Sequence, residues 1–204
     1  HLEIYNRALS PSEITQNYNF LLESFVLAQI PQEEISDTNP SLVGLWHLNN
    51  NWDDASGNGH DGVASGAVFD TNSKLGSHAG SFNGVDDSVT ISDSDSFDMA
   101  NGSLSLWFNP GTTLSDGAGN QALITKDASG GNAGDFSLFY DDDYSYNSVN
   151  DVLLASFSTG TQDYFLESTT SVFNAGEWYH VLLTWEDGGN SHMYINGLLE
   201  DTST

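Results

Sequence analysis

Met193-Tyr194-Ile195-Asn196-Gly197-Leu198-Leu199 is the stretch on which the fold turns. Two runs of strand-forming residues flank Asn196-Gly197, the dipeptide that supplies both positive-φ positions of a type I′ hairpin turn. Working outward, Ser103-Leu104-Ser105-Leu106-Trp107-Phe108 alternates, with Leu104, Leu106 and Phe108 on one face and Trp107 on the other. Further runs of strand type are Leu42–Leu48, Gln121–Lys126, Phe136–Tyr140, Val152–Phe157 and Trp178–Glu186. Clusters of Gly, Asp and Asn separate them. This spacing predicts an all-β fold, a two-sheet antiparallel sandwich.

Composition excludes several function classes. The 204 residues hold 3 Lys+Arg against 29 Asp+Glu, a formal charge of −26. Nucleic-acid binding needs a cationic face that releases counterions, and three basic residues, Arg7, Lys74 and Lys126, do not make one. The same charge disfavours docking on an anionic membrane. No apolar run approaches the ~18 residues of a membrane span, so no membrane insertion is expected. Hydrophobic residues are 38% and aromatics 12%, enough for a sizeable core rather than a disordered chain. The absence of Cys rules out a disulfide framework. The acids are 20 Asp against 9 Glu, a bias toward loops and toward hard-cation ligands, or toward simple solvation in salty water.

Residues 1–30 read differently. Leu2–Tyr5 suits a short strand. Ser10-Pro11-Ser12-Glu13 carries an N-cap, a proline at the first helical position and an acid three residues on, which is a capping-box start. Ile14, Tyr18, Leu21, Leu22 and Phe25 follow at helical spacing, predicting a helix over 11–28. Residues 31–41 read as a linker and 42–204 as the β domain.

Six segments in order resemble laminin-G-like, pentraxin-like (concanavalin A-like) jelly-roll modules. They are Leu42–Leu48 with Asp54–Gly62, Gly80–Val89, Ser103–Pro110, Ile124-Thr125-Lys126, Gly176–Val181 and Tyr194–Gly197. Leu2–Ser10 resembles the strand that closes such a module, yet here it comes first, and the domain from residue 42 lacks that strand at its end. Two arrangements account for this. The favoured one is a slice through a tandem array: the tail of one module, a linker, then most of the next. In the other, the strand completes the sheet in a permuted sense, in cis or from a neighbouring copy, since an open sheet edge invites strand addition.

The loop Asp53–Gly62 concentrates carboxylates, an amide and Gly-exposed carbonyls, the donor set calcium takes. The resemblance implies a structural calcium near this loop and the closing strand, carried here to Asp54 and the backbone of Asn58 and His60, with Asp53 of the same loop and Asp86 and Asp87 as further candidates. A solvated turn with Asx hydrogen bonds is the competing reading. Asp141-Asp142-Asp143 with Tyr144 and Tyr146 is a candidate ligand-binding surface, in which tyrosine rings grip a sugar face, against a plain hairpin tip.

Catalytic signatures are not found. Glu167, Glu177, Glu186 and Glu200 are isolated, so no closely spaced pair of the glycosidase type occurs. None of the six His falls in H-E-x-x-H, and no G-x-S-x-G elbow is present. His47 and His180 lie in β runs and read as packed or turn-facing. With these signatures missing, the expectation is a non-catalytic module, and the resemblance implies that it belongs to a large bacterial surface or secreted protein. It would be extracellular, calcium-stabilised, and adhesive toward a glycan or protein ligand. The alternatives are a structural repeat or filament subunit joined to neighbouring copies by strand complementation, and a carbohydrate-binding appendage of a polysaccharide-degrading enzyme.

Overall fold

The computed structural model describes residues 1–26, 39–115, 119–126, 134–141, 151–159 and 163–203, with side chains in the first segment described through residue 19. The elements are β1 (Leu2–Tyr5), α1 (Pro11–Val26), β2 (Leu42–Trp46), β3 (Gly62–Ser65), β4 (Val68–Asp70), β5 (Ala79–Ser81), β6 (Ser88–Ile91), β7 (Gly102–Phe108), β8 (Gln121–Lys126), β9 (Phe136–Asp141), β10 (Val152–Ser158), β11 (Asp163–Glu167), β12 (Tyr179–Trp185), β13 (Ser191–Ile195) and β14 (Leu198–Ser203). A six-stranded sheet runs β14-β13-β12-β7-β1-β2 and a four-stranded sheet runs β11-β10-β9-β8. Two small hairpin-like pairs, β3 with β6 and β4 with β5, stand beside them. All named strand pairs are antiparallel. The fold is the expected all-β sandwich.

Period-two alternation builds the core between the sheets. Ile4, Leu104, Leu106, Phe108, Val181, Leu183, Met193 and Ile195 face inward from the large sheet. They meet Phe136, Leu138, Tyr140, Leu153, Ala155, Phe157, Tyr164 and Leu166 of the small one in a single buried cluster. Burying each such side chain is worth roughly 1.5–3 kcal/mol, which is why the register of every long strand is firmly set. The Asn196-Gly197 turn has φ of 50° and 76°, both positive as a type I′ turn demands.

The N-terminal strand settles in the middle of the large sheet. Leu2, Glu3 and Ile4 lie opposite Trp46, Leu45 and Gly44 of β2 on one side, and Leu106, Ser105 and Leu104 of β7 on the other. The pairing is within the chain, so of the two arrangements open from the sequence, the structure has the permuted one in cis. The physical reason is plain: without β1, both β2 and β7 present an unpaired row of backbone groups beside a buried core.

The helix start follows the sequence closely. Ser10 N–H donates to Glu13 Oε2 at 2.9 Å, while Glu13 N–H reaches back to Ser10 Oγ at 3.4 Å. Ile14 N–H closes the first helical turn on Ser10 O at 2.9 Å. The helix lies over the outer face of the large sheet, where Ile14 joins Tyr5, Leu9, Leu42, Leu45 and Leu182 in a second, smaller core. Ser103, fully buried, pins the connecting turn: its hydroxyl donates to Arg7 O and accepts from Leu9 N–H.

Candidate functional site

The expected calcium loop is a hydrogen-bond hub. Asp54 Oδ1 accepts from the N–H groups of Leu45 and Ser56 at 3.0 and 2.9 Å. Its Oδ2 accepts from Ser56 Oγ at 2.8 Å and His60 N–H at 3.0 Å. A carboxylate offers about four lone-pair positions, so these four donors occupy it. Burial alone would push the Asp54 carboxyl up, but the hydrogen bonds from Leu45, Ser56 and His60 outweigh it and hold the carboxyl below its ordinary value. Asn58 points its amide nitrogen at Leu42 O and Val43 O, both at 3.0 Å, which ties the loop to β2. His60 takes Ser96 Oγ on Nε2 at 2.9 Å and stacks near Phe97. A cation ligated through Asp54 would have to displace at least one of these four donors.

The remaining predicted ligands sit apart in role. Asp53 accepts from Asn51 Nδ2 at 3.0 Å. Asp86 and Asp87 belong to the turn after β5, where Asn83 organises the backbone by accepting from three consecutive N–H groups, Val85, Asp86 and Asp87. Asp86 and Asp87 return one contact each to Asn83, at 2.8 Å. Among the described residues no three His, Asp or Glu side chains converge as a metal-holding group. Of the tyrosine-flanked acidic run, Asp141 ends β9 and is buried, while Asp142, Asp143, Tyr144 and Tyr146 lie outside the described residues.

The isolated glutamates tie loops together. Glu200 on β14 accepts from the Thr169 and Thr170 backbone and hydroxyl groups. Glu177 accepts from Tyr179 OH at 2.9 Å and Asn174 Nδ2 at 3.2 Å.

A polar patch that the sequence did not reveal forms where β1 crosses the outer face. Glu3 Oε1 lies 2.9 Å from His1 Nε2, and Tyr5 OH donates to Glu3 Oε2 at 3.3 Å. Burial raises the Glu3 carboxyl, yet the His1 contact, with His180 and Tyr5, brings it net below its ordinary value. His180 is fully buried, with Nε2 2.9 Å from Ser105 Oγ, and burial pushes its imidazole down to about 4 against the opposing pull of Glu3. Trp107 is also buried here rather than lining an open face: Tyr18 stacks on it at 6.2 Å, His180 lies 5.1 Å away, and the Lys74 ammonium sits 4.7 Å from its ring.

Beside this patch, the turn after β1 and the start of α1 face the ends of β12 and β13 across a cleft of about 580 Å³. Arg7 forks onto Glu13 at 2.9 and 2.7 Å and donates through Nε to Ser41 Oγ at 3.2 Å. The Arg7 hydrogen bond, with those from Ser10, holds the Glu13 carboxyl down at about 2. The opposite wall carries Glu186, Asn190, His192 and Tyr194. Such a cleft can hold a small polar ligand.

A laminin-G family model, described as the concanavalin A-like lectin/glucanases superfamily, matches residues 83–204. The chain belongs to that superfamily. The match spans β6 through β14, and so takes in most of both sheets. No curated protein and no solved structure matches the chain. Laminin-G-like domains of this superfamily are typically non-catalytic modules that bind carbohydrate or protein. No helix among the described residues is long and apolar enough to cross a membrane.

Proposed function

We propose that this laminin-G-like domain is a non-catalytic, extracellular binding module of a larger bacterial surface or secreted protein, and that its ligand is a glycan. The observation that carries the reading is the cleft of mixed polar and apolar lining on the outer face of the large sheet, built within the concanavalin A-like lectin/glucanase superfamily. Two glutamates of the β domain support a binding rather than a hydrolytic role. Glu177 and Glu200 are committed to loop contacts, whereas glycoside hydrolysis needs two free carboxyl groups at a set separation. The charge of −26 supports a module kept soluble and away from anionic surfaces. Calcium is carried forward as a proposal only, on the Asp-rich loop around Asp53 and Asp54 and, separately, on the Asp86-Asp87 turn.

The test is binding set against turnover. Immobilised neutral polysaccharides are incubated with the intact chain, and retention is measured alongside release of reducing ends. Retention without release is expected. Release of reducing ends in proportion to protein would overturn the non-catalytic reading.

A further inference from the structure

We infer that the cleft between the N-terminal segment and the β12–β13 hairpin is a subsite for an uncharged pyranose. This deepens the glycan reading above and rests on it.

Three observations carry the inference. The first is a ring platform. His192 and Tyr194 stand two residues apart on one face of β13, both half-buried, with ring centroids 6.1 Å apart and planes inclined by 32°. Thr184 Oγ1 lies 3.4 Å from His192 Nδ1 and steadies that ring. Two adjacent rings on one strand face, tilted to each other, offer apolar ring surface against which the C–H face of a pyranose can pack.

The second is pre-organisation. Arg7 and Glu13 form a forked pair on the opposite wall, held by the capping box on one side and by Ser41 on the other. The pair keeps its geometry without ligand, so little ordering entropy is lost when a hydroxyl docks against it. Glu13 is filled by donors from Arg7 and Ser10, so the polar contacts left for sugar hydroxyls come from the remaining Nη2–H of Arg7 and from the exposed Glu186 and Asn190.

The third is charge. Arg7 is neutralised by Glu13, which leaves Glu186 as the uncompensated charge among the walls named here. Within a chain of charge −26, a uronate or sulfated sugar would meet repulsion, and the one Arg among the described residues of the cleft wall is already paired with Glu13. The sugar is therefore an uncharged one.

The experiment is calorimetric titration of the intact chain with neutral hexasaccharides (gluco-, manno- and galacto-configured) and with oligogalacturonate of equal length. Asn190→Ala and His192→Ala, checked for an unchanged melting temperature, are titrated in parallel with Glu186→Gln. At least one neutral hexasaccharide is expected to bind. Asn190→Ala and His192→Ala are expected to weaken it at least fivefold. Glu186→Gln is expected to improve oligogalacturonate while leaving the neutral sugar within about threefold. Neutral binding that both cleft variants leave within twofold would overturn the subsite while the binding-module reading stood. Preference for oligogalacturonate in the unaltered chain would overturn the ligand class. No binding of any sugar at millimolar concentration would overturn the subsite and the glycan reading together.

Discussion

Replacing Asp54 with Asn changes one atom and removes one charge, and it separates a hydrogen-bond hub from a metal ligand. Asp54 takes four donors on two oxygens. Asn keeps one oxygen and turns the other into an NH2 group, so at least one backbone N–H, that of His60 or the pair from Leu45 and Ser56, then faces a donor. Two charge-assisted hydrogen bonds are lost in either amide orientation. Hydrogen bonds to charged groups contribute roughly 1.5–3 kcal/mol each, and the lower end applies to a half-exposed site, which sets the loss at about 3 kcal/mol. For a domain of this size that lowers Tm by roughly 6–12 °C. The control is Asp53→Asn, whose carboxylate is exposed, with an expected change within about 0.5 kcal/mol. The assay is urea unfolding of both variants at pH 7, in excess calcium and in chelator. A hub makes the Asp54→Asn loss equal in the two buffers. An Asp54→Asn variant as stable as its parent would refute the reasoning, as would a loss seen in calcium alone, with the parent falling to the variant's level in chelator.

Other outcomes follow from the same geometry. Glu13 is held down at about 2 from an ordinary value of 4.5, so its contribution is complete above pH 4.5 and drains away as pH falls toward 2; Glu13→Gln should flatten acid unfolding in that window, measured by circular dichroism. His180 runs over a higher range: its imidazole drops from 6.5 to about 4 on folding, so the folded state binds fewer protons than the unfolded chain and stability falls as pH goes from 6.5 to 4. The loss is of order 3 kcal/mol, and an NMR titration showing His180 protonated at pH 6 would contradict it. A methyl group at Gly102 would lie 2.3 Å from Cζ2 of Trp185, a ring 1% exposed whose Nε1 donates to Met99 O. The ring has nowhere to move, and Gly102→Ala should cost about 1–3 kcal/mol in thermal or urea melts.

Much of the fold could be read from local pattern because its long strands alternate and its turns carry their own chemistry. Asn196-Gly197 is one case, with both φ angles positive, and the Ser10–Glu13 capping box is another. The strands β3 to β6 escaped notice. Each is three or four residues long, too short to establish a period, and Val63 at 70% and Val68 at 59% are exposed where an apolar residue suggests burial. The choice of partners for β1 is not a local property at all: its register joins residue 4 to residues 44 and 104.

The sites were harder still. An Asx hub and a calcium loop ask for the same residues, because both spend carboxylate lone pairs on neighbours, and only the positions of Leu45, Ser56 and His60 N–H distinguish them. The cleft joins residues 7 and 13 to residues 186–194, so no window of sequence contains it. The signal that was present was the Arg7 and Glu13 spacing, six apart across a helix start.

Everything on the outer face depends on β1 sitting between β2 and β7, since Arg7 and Glu13 reach the cleft only from there. Amide hydrogen exchange of the monomeric chain, resolved at residues 2–5 and Leu9, tests this most directly. A central strand with neighbours on both sides, and a Leu9 N–H held by Ser103 Oγ at 2.9 Å, should exchange as slowly as the amides of β7 and β12. Exchange of residues 2–5 at the rate of a free chain terminus, with β7 and β12 still protected, would contradict the account and remove the cleft with it.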